Sequence, residues 1–215
     1  ARAPSVIRAI LFAHRIANAV EDILPYLPQA IDNTPLFKHL VNTVDLPVNA
    51  LTEADVEDAR REIATLQKIY DAELKKLKND PSLKNEKRWY VPVTQAFRRM
   101  NWHKGVITRY EHQKTHSTLP AELHTIRLGD IVIVTNPFEY YLDFGVQIKL
   151  RSPALQTFIV ELAGSGTYVP SRRSTVGGGY GSVPASNRIG SEGGQVLADQ
   201  TVALIRSLWQ DEVIA

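Results

Sequence analysis

Two segments of this 215-residue chain end in residue types that do chemistry. Thr135-Asn136-Pro137-Phe138-Glu139 follows a short apolar run, Ile131 to Val134. Ala163-Gly164-Ser165-Gly166-Thr167-Tyr168 follows a second one, Thr157 to Leu162. In an open parallel sheet, ligands bind beyond the carboxyl ends of the strands. Neighbouring strands run about 5 Å apart, so if the two runs are neighbours, the Glu139 carboxylate and the Tyr168 phenol converge on one point. The same glutamate also reads as the start of a helix, where a carboxylate is simply a favourable partner for the helix dipole.

Other patterns are weaker. His112 and His116, four apart, would share a helix face as metal ligands, but Thr115-His116-Ser117-Thr118 reads as a helix end. His124 alternates along a strand and reads as a cross-strand packing residue. His14 and His39 are isolated. Gly164-Ser165-Gly166 after a strand hints at a phosphate loop, yet Pro170 and two arginines follow where a helix and a third glycine are needed. Gly177-Gly178-Gly179-Tyr180-Gly181 follows no strand and reads as an active-site lid. Arg172 and Arg173 are candidates to grip an anionic head group or a carboxylate product. Pro184-Ala185-Ser186-Asn187 reads as the segment that sets this loop against the last helix.

The elements that must position these residues are legible from spacing. Val6, Ile10, Ala13, Ala17, Val20 and Leu24 predict a helix over 5–24, stopped by Pro25. Pro25 to Pro47 is a proline-broken connection containing an extended run, His39 to Leu46. Thr52 with Asp55 three residues on is a helix N-cap signal. Val56, Ala59, Ile63, Leu66, Tyr70 and Leu77 continue as one stripe to about Lys78, and Asn79-Asp80-Pro81 ends it. Pro92 opens another helix, reaching about Gln113. Residues 52–113 therefore read as a helical hairpin, expected either as a layer over a sheet or as a partner-docking arm. Glu122 to Leu128 alternates, Gly129-Asp130 turns, and the run 131–134 is a buried strand. Phe138 to Lys149 has helical spacing, so the two apolar runs with a helix between them predict a parallel β-α-β unit. Residues 164–194 read as a long structured loop, and Val196 to Trp209 as a final amphipathic helix. The fold class is α/β: a mixed sheet covered by helices, plus the hairpin. The whole chain, 1–215, reads as part of a single domain, mainly helical over 5–113.

Composition is that of an ordinary globular protein, with 44% apolar and 22% charged residues. No apolar run has the eighteen or so residues of a membrane helix. The absence of cysteine excludes disulfides, thiolate metal sites and cysteine nucleophiles. Net charge is only +2, but Lys68 to Lys114 holds twelve Lys/Arg against five Asp/Glu. Such a stretch suits an anionic membrane surface or nucleic acid, or is simply a solvated helical face. No nucleic-acid module accompanies it, so no nucleic-acid partner is expected. Ala1 to Pro4 is no initiator sequence, and a chain entering an apolar-faced helix at once reads as a piece of something larger.

From Leu119 to Trp209 the chain resembles the neutral, non-lysosomal ceramidases and their shorter bacterial relatives. The likeness is clearest in Leu128-Gly129-Asp130-Ile131-Val132-Ile133-Val134, Pro137-Phe138-Glu139 and Thr167-Tyr168-Val169. The resemblance implies that Glu139 and Tyr168 are zinc ligands and that Tyr180 hydrogen-bonds the scissile amide oxygen. It also implies that two zinc-binding histidines and a serine lie in an N-terminal half, cleaved or separately encoded, and that the protein is secreted or periplasmic. The departures are Pro170-Ser171-Arg172-Arg173 after the tyrosine and Tyr140-Tyr141-Leu142-Asp143-Phe144 after the glutamate, which set this chain apart from the ceramidases proper. The expected activity is zinc-dependent hydrolysis of the N-acyl bond of a ceramide-like lipid. The alternatives are a non-catalytic half that binds lipid or a partner chain through the basic hairpin, with peripheral membrane contact, and an anion-binding α/β domain built on the glycine loops.

Overall fold

The computed structural model describes residues 3–210 of the chain, which divides into two compact units, up to Leu36 and from Phe37 onward. In the first, α1 (Ala3–Glu21) stops three residues before the expected end, and a 3-10 helix over Leu24–Ala30 follows with Pro25 in its first turn. Proline lacks the donor an α-helix would use there but suits a new helical start. Val6, Ile10, Phe12, Ile16 and Val20 are all exposed. Among the described residues no helix is long and apolar enough to cross a membrane.

The second unit is built on a four-stranded mixed sheet. β1 (Phe37–Pro47) runs antiparallel to β2 (Thr118–Leu128), which runs antiparallel to β3 (Ile131–Thr135). The turn between β2 and β3 needs a left-handed residue, and Gly129 supplies it at φ 57°. β3 then pairs in parallel with β5 (Gln156–Val160), and α4 (Leu142–Arg151) lies between them in sequence. The expected β-α-β unit is therefore present. Its helix begins four residues later than its periodicity predicts. The Asn136 side chain accepts from the Phe138 amide at 2.8 Å, a local turn that replaces the first helical hydrogen bonds.

One face of the sheet is buried and the other is not. Ala121, Leu123, Val132 and Val134 point inward against Phe144 and Ile148 of α4 and Leu197, Val202 and Ile205 of α6 (Ser191–Ser207). Burying each of the larger side chains stabilises the fold by roughly 1.5–3 kcal/mol. Arg127 also points inward, donating to the Leu208 carbonyl at 2.7 Å and lying 3.8 Å from the Trp209 ring centre. The outer face exposes Phe37, Val41, Phe158 and Val160. On it His124 stacks across the strand pair on His39, with ring centres 5.2 Å apart, the packing role expected of it.

α2 (Glu53–Asn79) and α3 (Val91–His112) form the expected hairpin, and Thr52 and Asp55 complete a reciprocal capping box. The hairpin is not the layer over the sheet, which α4 and α6 provide. It packs chiefly on itself, with a small core of Leu51, Ala59 and Val106 and Ala185 against it. The expected loop 164–194 is more ordered than its composition suggests. It contains β6 (Tyr168–Val169), α5 (Arg172–Gly177) and two 3-10 turns, and α6 starts at Ser191 rather than Val196.

Candidate functional site

Glu139 does not open a helix. It lies in β4 (Glu139–Tyr140), which pairs in parallel with β6, and its register partner is Tyr168. This two-stranded ribbon continues directly from the carboxyl ends of β3 and β5. The Asn136 amide donates to the Val160 carbonyl at 3.0 Å, the Ala163 amide to the Asn136 carbonyl at 3.0 Å, and the Leu162 amide to the Phe138 carbonyl at 3.1 Å. The Glu139 amide bonds the Thr167 carbonyl at 3.1 Å and the Tyr141 amide that of Val169 at 3.0 Å. Gly166 makes the approach possible, because a Cβ there would meet the Pro137 carbonyl. Gly181 has a parallel role: a Cβ would lie 2.8 Å from the Tyr141 hydroxyl oxygen and 3.0 Å from the Tyr168 ring.

The register brings a carboxylate and a phenol side by side on one face of the ribbon. Burial and the negative field and hydrogen bonding of Glu139 hold the Tyr168 hydroxyl above the usual tyrosine value, so in this state it keeps its proton. Tyr180 stands edge-on to Tyr168, with ring centres 5.6 Å apart, and Trp102 of α3 lies 5.8 Å beyond Tyr180. Tyr180 is held from its backbone: the Ser186 hydroxyl donates to its carbonyl at 2.7 Å. Spacing alone did not single out Glu161. It follows β5, its carboxyl is raised by burial and then by the Glu139 charge, and the Tyr140 backbone amide opposes this. A carboxylate one residue beyond an apolar strand that ends beside another such strand was the available signal.

The other expected residues separate from this point. Arg173 is on α5 and pairs with Asp143 at 3.0 Å, largely exposed. Arg172 is the first residue of α5 and is exposed. The glycine run caps α5, with Gly178 left-handed at φ 66°, and leads into the turn holding Tyr180. His112 and His116 stack at 4.0 Å, but among the described residues no group of three or more His, Cys, Asp or Glu is arranged to hold a metal. The 184–187 segment, expected to set this loop against the last helix, is set against α3. Arg109 donates to the carbonyls of Asn187 and Pro184, the latter at 2.6 Å, while Asn187 donates to the Val183 carbonyl at 2.8 Å.

The donors suit a divalent cation as half of a set. Carboxylate and phenolate oxygens are acceptable zinc ligands, and zinc sites take four ligands, of which a catalytic site leaves one open. Glu139 and Tyr168 would supply two, and a cation between them would displace the phenol proton.

No protein-family model matches the chain, and no curated protein does. A solved structure described as "Ceramidase complexed with C2" is similar at 21% identity and a TM-score of 0.33, over 46% of this chain and 16% of that one.

Proposed function

We propose that this chain forms part of a zinc-dependent amidohydrolase of ceramidase type, cleaving the N-acyl bond of a ceramide-like lipid. The observation that carries the reading is the pairing of Glu139 with Tyr168 beyond the ends of two parallel strands, with Tyr180 against the tyrosine. Glu139 and Tyr168 would hold the metal, and the remaining ligands come from an N-terminal half of the same hydrolase. Zinc bound there would supply a water whose pKa is lowered to about 7. Tyr180 donates a hydrogen bond to the amide oxygen as charge develops on it, a contribution that matters most when water is excluded. Hydrolysis then adds the elements of water across the C–N bond, leaving a carboxylate and an amine.

In the complete protein, Glu139→Ala and Tyr168→Phe are each expected to reduce hydrolysis of an N-acyl substrate by 100-fold or more, on the order of a lost oxyanion donor or ligand contact. Tyr180→Phe is expected to lower kcat more than it changes KM. Full turnover by both Glu139→Ala and Tyr168→Phe would refute the reading.

The open sheet face favours a second reading for the same chain. Phe37 is 64% exposed and Phe158 is 47% exposed, on a surface that in a sandwich would be covered. A non-catalytic half would bind a partner chain on that face, and a lipid surface through the separate basic hairpin. Vesicle co-sedimentation that falls steeply with salt, with no metal bound, would favour this second reading.

A further inference from the structure

A cleft of about 570 Å³ lies between the N-terminal half of α3 and Tyr180. Its wall follows helical spacing: Thr94, Gln95, Arg98 and Trp102 recur on one side of α3, with Arg99 beside them. Arg88 closes one end from the preceding turn, where it adopts a left-handed backbone with φ 66°, uncommon outside glycine. Among the described residues no acidic side chain lines the cleft. Among the described residues none of the three arginines forms an ion pair. Three arginines lining one concavity gather positive charge there, and the fork geometry of a guanidinium suits an oxyanion. Trp102 and Tyr180 supply the apolar part of the wall.

The position matters as much as the charge. Tyr180 lines the cleft and also packs on Tyr168, so a molecule anchored by the arginines reaches the Glu139–Tyr168 pair across a single aromatic side chain. We propose that this cleft is a subsite for an oxyanion, a carboxylate, phosphate or sulfonate, carried on the polar end of the substrate. Building on the hydrolase reading, it makes the substrate an anionic N-acyl amphiphile rather than neutral ceramide. It also assigns anion recognition to Arg88, Arg98 and Arg99 rather than to Arg172 and Arg173.

Calorimetric titration of the metal-stripped protein with N-dodecanoylglycine, its uncharged counterpart N-dodecanoylethanolamine, and inorganic phosphate tests this. Binding rather than turnover is read, so the result stands whether or not the zinc reading does. The acid is expected to bind at least about tenfold more tightly than the neutral amide and than phosphate. Arg98→Gln/Arg99→Gln, at exposed positions, should abolish that preference, while Lys75→Gln/Lys78→Gln, the same charge removed from α2, should leave it. Equal affinity for acid and neutral amide, an equal loss in both double variants, or phosphate binding as tightly as the acid would each overturn the proposal. In the complete protein, arginine-dependent binding of the acid with no hydrolysis after zinc is restored would support the subsite and count against the hydrolase reading.

Discussion

The Arg109 guanidinium, in the last third of α3, donates to the backbone carbonyl of Asn187 and thereby fastens the helical hairpin to the turn behind Tyr180. The group is largely buried and has carbonyl partners instead of a carboxylate. Burial, and then the nearby Arg188 charge, bring its pKa down to about 10. Arg109→Met would leave two inward carbonyls without a donor, and an expected loss of about 2–3 kcal/mol follows. Arg109→Lys should recover only part of it, because an ammonium cannot span both carbonyls in a fixed plane. Urea unfolding measures this, and a change under about 0.5 kcal/mol in the Met variant would mean the fastening contributes little.

Gly166 and Gly105 should respond oppositely to the same substitution. Gly166→Ala places a methyl against the Pro137 carbonyl where β6 approaches the 136–138 turn, so a loss of about 1–3 kcal/mol or more is expected. Gly105 sits inside α3 with nothing within 4 Å of a Cβ, so Gly105→Ala should stabilise by about 0.5–1 kcal/mol. Thermal or urea midpoints of the two variants moving in the same direction would contradict this account of the strand approach.

His103 gives the hairpin a pH dependence. It is half-buried in α3, and burial lowers its pKa below 6.5, Glu62 of α2 opposing the shift and Arg99 adding to it. A depressed folded pKa means the unfolded chain binds the proton more readily. The stabilising contribution is therefore complete above about pH 6.5 and is lost as pH falls through the lower folded value. His103→Gln is expected to flatten the decline in unfolding free energy between about pH 7.5 and 5. An unchanged slope would assign the decline elsewhere.

Elements with a long period were legible, and those resting on brief or long-range pairings were not. Thr52 and Asp55 announce α2 because a cap is a local hydrogen-bond pattern. The parallel pair β3 and β5 is visible because both are continuous apolar runs with a helical stretch between them, although the structure buries only one face of the sheet. β4 and β6, with two residues each, are too short for any periodicity, and the Asn136 turn makes Glu139 look helical when it is extended. The convergence of Glu139 with Tyr168 was still foreseeable, because the strand ends dictate where the following residues go. Arg127 sat at an inward position of an alternating strand, but its partners come from far along the chain, the Leu208 carbonyl 81 residues on and the Trp209 ring beside it. The arginine cleft was dispersed in sequence between a turn, one face of α3 and a glycine-rich turn, so charge counting found the basic region without its shape.

The pairing of Glu139 with Tyr168 as metal ligands is tested most directly by native mass spectrometry of the complete protein after zinc exchange. One zinc per chain is expected in the wild type, with the Glu139→Ala/Tyr168→Phe double variant losing it at the same free zinc concentration and retaining its fold. A double variant that holds zinc as fully as the wild type would place the metal elsewhere and contradict the account.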